Sequence, residues 1–424
     1  MKKMNSYKHG LGILIVAMAL GTAWAIRGQF GHEQGAAWAG AIGGLALVLV
    51  SQRKDWYNKM VLVALASAVG WGAGGMISYG KVVGYGHANN FINAYYGLSM
   101  LFVIGALFGL LGGGLAGLVL ESTEKNKVKW GQLVAEMASG GLISYFLLIE
   151  QIGFRMTPPR SEAWAVILGA GLAMLWYMAR DNRNSSIRVA IFAAFGGGFG
   201  FSFGNFLHLL GNIMEIPFNM WNVMEYSIGF FGGSGMAYGV YSSKWPIDMV
   251  KPKNWVQRVS LFVLVVFVPL IVYRETIAYE QLLKRLGEIP NIESVALTST
   301  AIGAAILIGM AMLLFWRLKD NNHGKKETAF FLITFLSTYT IMSYLVKGLL
   351  AGKVVINHHL YILNIILIVL FFKNGKFHNV EKVTERIVTK KWFIYLFAIL
   401  LVLAILSIIA INIHSELPRD QNRF

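Results

Sequence analysis

The stretch RGQFGHEQGAAWAG, residues 27–40, sets Arg27, Gln29, His32, Glu33 and Gln34 in the gap between two apolar runs. An arginine there can hold an anion or a carboxylate. A histidine beside a glutamate can exchange protons or bind a cation, and the two glutamines can orient a polar solute. The pattern recurs. YGKVVGYGHANNFINAYYG brings Lys81, His87, Asn89, Asn90 and Asn93. IEQIGFRMTPPRSEAW brings Glu150, Gln151 and Arg155. FGNFLHLLGNIMEIPFNMWNVMEY brings Asn205, His208, Asn212, Glu215, Asn219, Asn222 and Glu225. The expected binding set is Arg27, Gln29, His32, Glu33, Lys81, His87, Asn90, Glu150, Arg155, Asn205, His208 and Glu225. Its mixed signs argue against a simple ion-selective ring and fit a zwitterion, a sugar or an acidic metabolite.

Other chemistries are poorly served. His32, Glu33, His87 and His208 are adequate zinc ligands, but the H-E-x-x-H spacing fails because residues 36 and 37 are alanines. No metal or other cofactor is assigned. GFSFG at residues 200–204 matches G-x-S-x-G, yet it sits in an apolar helical run and not at a strand-turn-helix elbow. The glycine-rich runs lack the phosphate-loop spacing. The chain has no cysteine, which excludes disulfides, thiolate catalysis and thiolate-bound metals.

The elements that must position these residues are membrane helices. Of 424 residues, 56% are hydrophobic and 14% charged, with a mean hydropathy of +0.57. Soluble domains carry about 25% charged residues. Spans of about 20 apolar residues give about thirteen candidates: 9–27, 34–51, 59–80, 97–120, 130–150, 162–179, 187–207, 224–242, 255–273, 296–316, 328–350, 358–373 and 391–413. The fold class is therefore all-α, a polytopic transmembrane bundle. The start, MKKMNSYK before GLGILIVAMALGTAWA, resembles a signal peptide, and we read it as an uncleaved first span.

The formal charge of +16 sits mainly in alternate short loops. SQRKDWYNK, ESTEKNKVK, RDNRNSSIR, KWPIDMVKPKNWVQR, RLKDNNHGKKE and KNGKFHNVEKVTERIVTKK are basic, as is the N-terminus. The positive-inside rule makes these cytoplasmic, in a bacterial inner membrane, and puts the C-terminal HSELPRDQNRF outside. No nucleic-acid partner is expected. Lipids, a small polar solute and a homo-oligomer or envelope complex are the expected partners.

Two halves differ in character, residues 1–245 and 246–424. Of 47 glycines only seven follow residue 245. Small residues let helices approach closely in lipid, or mark broken helices around a cavity. The glycine-rich half reads as eight helices in four repeated hairpins, each carrying one of the polar connections on the outer side. The second half reads as a five-helix support, with an amphipathic surface helix in RETIAYEQLLKRLGEIPNIES. Counting from the cytoplasmic ends puts His32, Glu33 and Glu225 at the outer hydrocarbon boundary, where ionisable groups usually face a cavity. Glu136, in KWGQLVAEMASGG, reads as a lone intramembrane carboxylate suited to proton or cation coupling, unless its span starts later and leaves it interfacial.

Three functions fit. The leading expectation is a transporter or channel for a small polar solute, with an outward-facing polar cavity. The one-sidedness of the polar groups favours instead an enzyme acting at the outer face on a lipid-linked or envelope substrate. An accessory subunit of an envelope complex is the third.

Overall fold

Each of the thirteen apolar stretches contains a helix, and no strand occurs among the described residues. The computed structural model describes residues 6–320, 322–353, 356–378, 380, 389–415 and 421–424. Lys2 and Lys3 of the first basic segment, residues 381–388 of the last basic loop and residues 416–420 of the tail lie outside them.

In chain order the helices are α1 (Ser6–Arg27), α2 (His32–Val50), the single turn α3 (Lys54–Tyr57), α4 (Met60–Gly75), the short α5 (Gly80–Tyr85) and α6 (Phe91–Glu121). Then come α7 (Trp130–Tyr145), running into a π-helical stretch Phe146–Gln151, α8 (Ala163–Arg180), α9 (Asn184–Ile213) and α10 (Met220–Tyr241). The second half holds α11 (Asn254–Phe262), the π-helical Val263–Phe267, α12 (Val268–Thr276), α13 (Tyr279–Leu286), α14 (Ile292–Arg317), α15 (Lys325–Lys347), α16 (Ile356–Asn374) and α17 (Thr389–Ile413). The π turn before α12 has a local cause. Pro269 has no N–H for the carbonyl four residues back, and its ring needs the wider turn.

Among the described residues, eleven helices are long and apolar enough to cross a membrane. This is a polytopic helical membrane protein. α4, at 16 residues, is shorter. It rises only about 24 Å, less than a bilayer core of about 30 Å. The stretch read as one span over 59–80 breaks after Gly75 and resumes at Gly80. At that point α4 is pressed against the start of α2, where a Cβ on Gly75 would lie 2.3 Å from the His32 carbonyl oxygen. The break brings Tyr79 into the bundle.

Six helices close a ring in the order α1, α2, α4, α6, α9, α10 and back to α1. Glycines make the ring possible. A Cβ on Gly109 would sit 2.0 Å from the Ala193 oxygen, and one on Gly196 would sit 2.1 Å from the Phe231 oxygen. The ring's interior is filled. Trp71 reaches from α4 to α6 and α10, 2.3 Å from a Cβ on Gly112 and 2.7 Å from one on Gly232. Trp24 packs on Trp71 at 4.9 Å, and Phe108 and Phe201 extend this aromatic column. The glycines serve close packing, and at this level Trp24, Trp71, Phe108 and Phe201 occupy the ring's interior.

The third hairpin, α7–α8, stands outside the ring. It packs mainly on itself, with Gly140 and Gly169 in close approach, and touches α6 and α9 lightly. Val134, Leu142 and Ile143 on α7 and Phe146 and Leu147 on the π-helical stretch are exposed, as suits a lipid-facing helix. α15 packs on α2 and α16 on α1, whereas α17 lies on α6 and α9 across the ring.

The two classes of loop separate cleanly to two ends. At the basic end, Lys59 Nζ donates to the Ser122 carbonyl at 2.7 Å, Ser185 Oγ to that of Lys244 at 2.5 Å, and Lys251 to Asn322 at 3.2 Å. At the polar end, Arg285 of α13 donates to the Gln29 carbonyl at 2.8 Å and Asn357 pairs with the Asn219 backbone. Asn422 meets Asn90 at 3.1 Å, so residues 421–424 lie at this polar end.

Candidate functional site

Three of the four polar connections converge. Arg27 is the last residue of α1, fully buried at 0% exposure, and Glu225 of α10 is 1% exposed. Arg27 Nη2 donates to Glu225 Oε2 at 3.0 Å. The Tyr79 hydroxyl donates to Glu225 Oε1 at 2.6 Å and accepts from Arg27 Nη2 at 2.9 Å. Arg27 Nη1 stands 3.2 Å from His32 Nδ1. Arginine can only donate, so in this contact His32 Nδ1 is the acceptor. The Arg27 guanidinium also lies over Trp24, 4.7 Å from the ring centroid.

Local sequence explains the convergence. Gly31, at φ +97°, turns the chain so that α2 begins beside the end of α1. Asn222 donates to the Ala25 carbonyl at 2.8 Å and pins the start of α10 to α1. Desolvating two opposite charges is costly, and the short contacts among Arg27, Glu225 and Tyr79 offset that cost only while all three are present.

The second half completes the surroundings. Tyr339 of α15 packs at a tilt against Phe30 and Trp38 and donates to the Gly35 carbonyl at 2.8 Å. Ser343 donates to Gln29 Oε1 at 2.9 Å, and His358 of α16 stands 2.9 Å from Ser343 Oγ. Asn364 donates to Thr22 and Tyr226. The sequence reading treated this half as plain scaffold and missed Tyr339, Ser343, His358 and Asn364. The available signal was polar residues inside apolar runs, as in TIMSYLV and INHHLY. It missed Tyr79 too, whose signal is the break at GAGGMISYG.

A second group adjoins the first through Trp221, which stacks on Tyr79 at 6.2 Å and meets His208 at 5.4 Å. His208 lies 5.0 Å from His87, and His87 Nε2 donates to the Asn205 carbonyl at 3.3 Å. Burial pushes the His87 imidazole down to about 4.

The remaining candidates are placed elsewhere. Glu33 is exposed and Lys81 half-buried. Asn90 caps α6, its side chain accepting from the Asn93 N–H at 3.0 Å, so its geometry is structural. Glu150 and Arg155 are exposed on the outlying third hairpin and do not join the cluster. Glu136 is not a lone carboxylate. It is partly exposed, 2.6 Å from Arg180 Nη2 and 2.8 Å from Gln132, on a helix outside the ring. A span that begins at Trp130 puts it near the basic end, where Arg180 closes α8.

No group of three or more histidine, aspartate or glutamate side chains able to hold a metal occurs among the described residues. A surface depression lined by Lys244, Trp245, Pro246 and Ile247 lies at the other end of α10, away from this chemistry. The polar connections meet in a buried cluster that Tyr339 and Ser343 of α15 and His358 of α16 adjoin. No family model matches the chain, and no characterised protein or solved structure shows significant similarity to it.

Proposed function

We propose that the protein is a carrier for a small polar solute, and that Arg27, Glu225, Tyr79 and His32 form its binding site. The carrying observation is the fully buried Arg27–Glu225 pair at the polar end of a ring whose interior is filled by Trp24 and Trp71. A buried ion pair in a membrane protein is costly to maintain and characteristically marks a pathway. The filled interior favours a carrier that alternates between states over an open channel. In this reading α15 and α16 form the outer cover, and the solute takes over part of the pair's hydrogen bonding when they move. The topology has thirteen spans, counting the short α4 and the less apolar α10, with basic loops in the cytoplasm and the C-terminus outside an inner membrane. The resemblance among the four hairpins is read as an internal repeat, with the third displaced from the ring.

The test is uptake by proteoliposomes across a panel of sugars, amino acids and organic acids, with proton and sodium gradients imposed in turn. Uptake of one class, abolished by substituting Arg27, supports the reading. A panel with no uptake under any gradient overturns it. The closed interior also favours the second reading, an enzyme working only at the outer face. Turnover of a lipid-linked substrate without solute movement would establish that alternative.

A further inference from the structure

Residues 421–424 are held chiefly by one buried side chain. Asn93 of α6 is 1% exposed. Its Oδ1 accepts from the Arg423 N–H at 2.6 Å and from the Phe424 N–H at 3.0 Å. Its Nδ2 donates to the Phe424 carbonyl at 3.2 Å and to Asn90 Oδ1 at 2.9 Å. The amide's hydrogen-bonding positions are thereby filled, most of them by backbone groups of two successive residues. Two neighbours extend the pattern. The Gly84 carbonyl, which accepts from the His87 N–H at 3.1 Å, also accepts from the Gln421 N–H at 3.3 Å. Asn90 Nδ2 donates to Asn422 Oδ1 at 3.1 Å. Residues 421–424 form no helix or turn. Their backbone groups must find partners outside the segment, and this site supplies them in chain order.

We propose that Asn93, with Asn90, Gly84 and Tyr96, forms a binding site for an extended peptide, and that residues 421–424 fill it in cis as a releasable strap. Side chains orient the strap. The Phe424 ring meets Tyr96 edge-on at 5.2 Å, and the Arg423 guanidinium lies 5.9 Å from the centroid of the same ring. Arg423 also donates to the Arg155 carbonyl of the third hairpin. The strap therefore joins α5 and α6 to the hairpin that stands outside the ring. Its hold is mostly polar. Asn422 and Phe424 are exposed, Phe424 at 73%, so release uncovers little apolar surface. A segment held in this way opens without unfolding the helices beneath it. The site holds for a carrier and for an enzyme alike.

The chain has no cysteine, so full-length protein carrying Lys125→Cys and Gln421→Cys takes spin labels at those two positions alone. Lys125 is exposed at the basic end, and Gln421 meets the site through an N–H that the substitution keeps. Double electron–electron resonance in detergent is expected to give one narrow distance. Arg423→Pro deletes the N–H that Asn93 accepts and is expected to broaden that distance to the spread of an untethered segment. Arg423→Ala keeps the N–H and is expected to stay narrow. Asn93→Ala is expected to behave as Arg423→Pro. Asn93 also bonds the residue that caps α6, so Arg423→Pro carries the test should Asn93→Ala fold poorly. A fluorescein-labelled RDQNRF peptide, residues 419–424, then probes the emptied site. It is expected to bind the Arg423→Pro protein and to bind wild type roughly ten-fold or more weakly, because the tethered strap competes. A broad distance without further substitution overturns the proposal, as does one that stays narrow in both Arg423→Pro and Asn93→Ala. Release by Arg423→Ala to the extent seen with Arg423→Pro overturns it too. So does a peptide that ignores the emptied site or binds both proteins equally.

Discussion

Arg27 Nη2 and Glu225 Oε2 lie 3.0 Å apart, joining the end of α1 to the start of α10 beneath the turn that carries His32. The pair makes the two helix termini one unit. It also ties the first hairpin to the fourth.

Breaking this pair on one side leaves a buried charge without its partner. Glu225→Ala and Arg27→Ala are each expected to destabilise by roughly 3–5 kcal/mol. Arg27→Met combined with Glu225→Leu removes both charges and is expected to recover much of that loss. Unfolding midpoints of the three proteins in one detergent measure this. A double variant as unstable as the sum of the singles would contradict it.

The glycines divide by what a Cβ would meet. Gly109→Ala forces a methyl against the Ala193 carbonyl, 2.0 Å away. It is expected to cost about 1–3 kcal/mol or more. Gly309→Ala on α14 meets nothing within 4 Å and is expected to be neutral or slightly stabilising. Thermal unfolding of the two side by side measures the contrast.

His87 gives a pH dependence of known sign. Its folded value is about 4, and burial is the chief cause. The unfolded chain titrates near about 6.5. Between these values the unfolded state binds more protons, so the contribution is fully present above about pH 6.5 and is lost as pH falls towards 4. Its full extent is roughly 3 kcal/mol. His87→Asn, which keeps an N–H for the Asn205 carbonyl, is expected to flatten the stability profile over this window. An unchanged slope would show that another group carries it.

Because the chain has no cysteine, single cysteines report sidedness directly. Asn89 and Lys125 are both exposed, at the polar and basic ends respectively. Asn89→Cys is expected to react with an impermeant maleimide on intact cells. Lys125→Cys is expected to react only after the membrane is opened. The reverse pattern would invert the proposed topology.

Hydropathy was enough to find the long apolar helices, because lipid imposes length, and loop charge was enough to tell the two kinds of connection apart. They could not pair Arg27 with Glu225, since nothing local relates residues so far apart. Tyr79 was hidden inside an apparently continuous span, and only the packing of Gly75 on His32 reveals the break. Glu150 and Arg155 share the composition of the clustered residues, but their hairpin packs outside the ring. Glu136 looked isolated because Arg180, its partner, comes from the end of the following helix.

Uptake measured in parallel for wild type, Arg27→Gln and Glu136→Gln proteoliposomes tests the central claim most directly, with folding of each variant checked beforehand. Wild type is expected to show gradient-driven uptake, Arg27→Gln to lose it and Glu136→Gln to retain it. A folded Arg27→Gln protein that transports like wild type would contradict it.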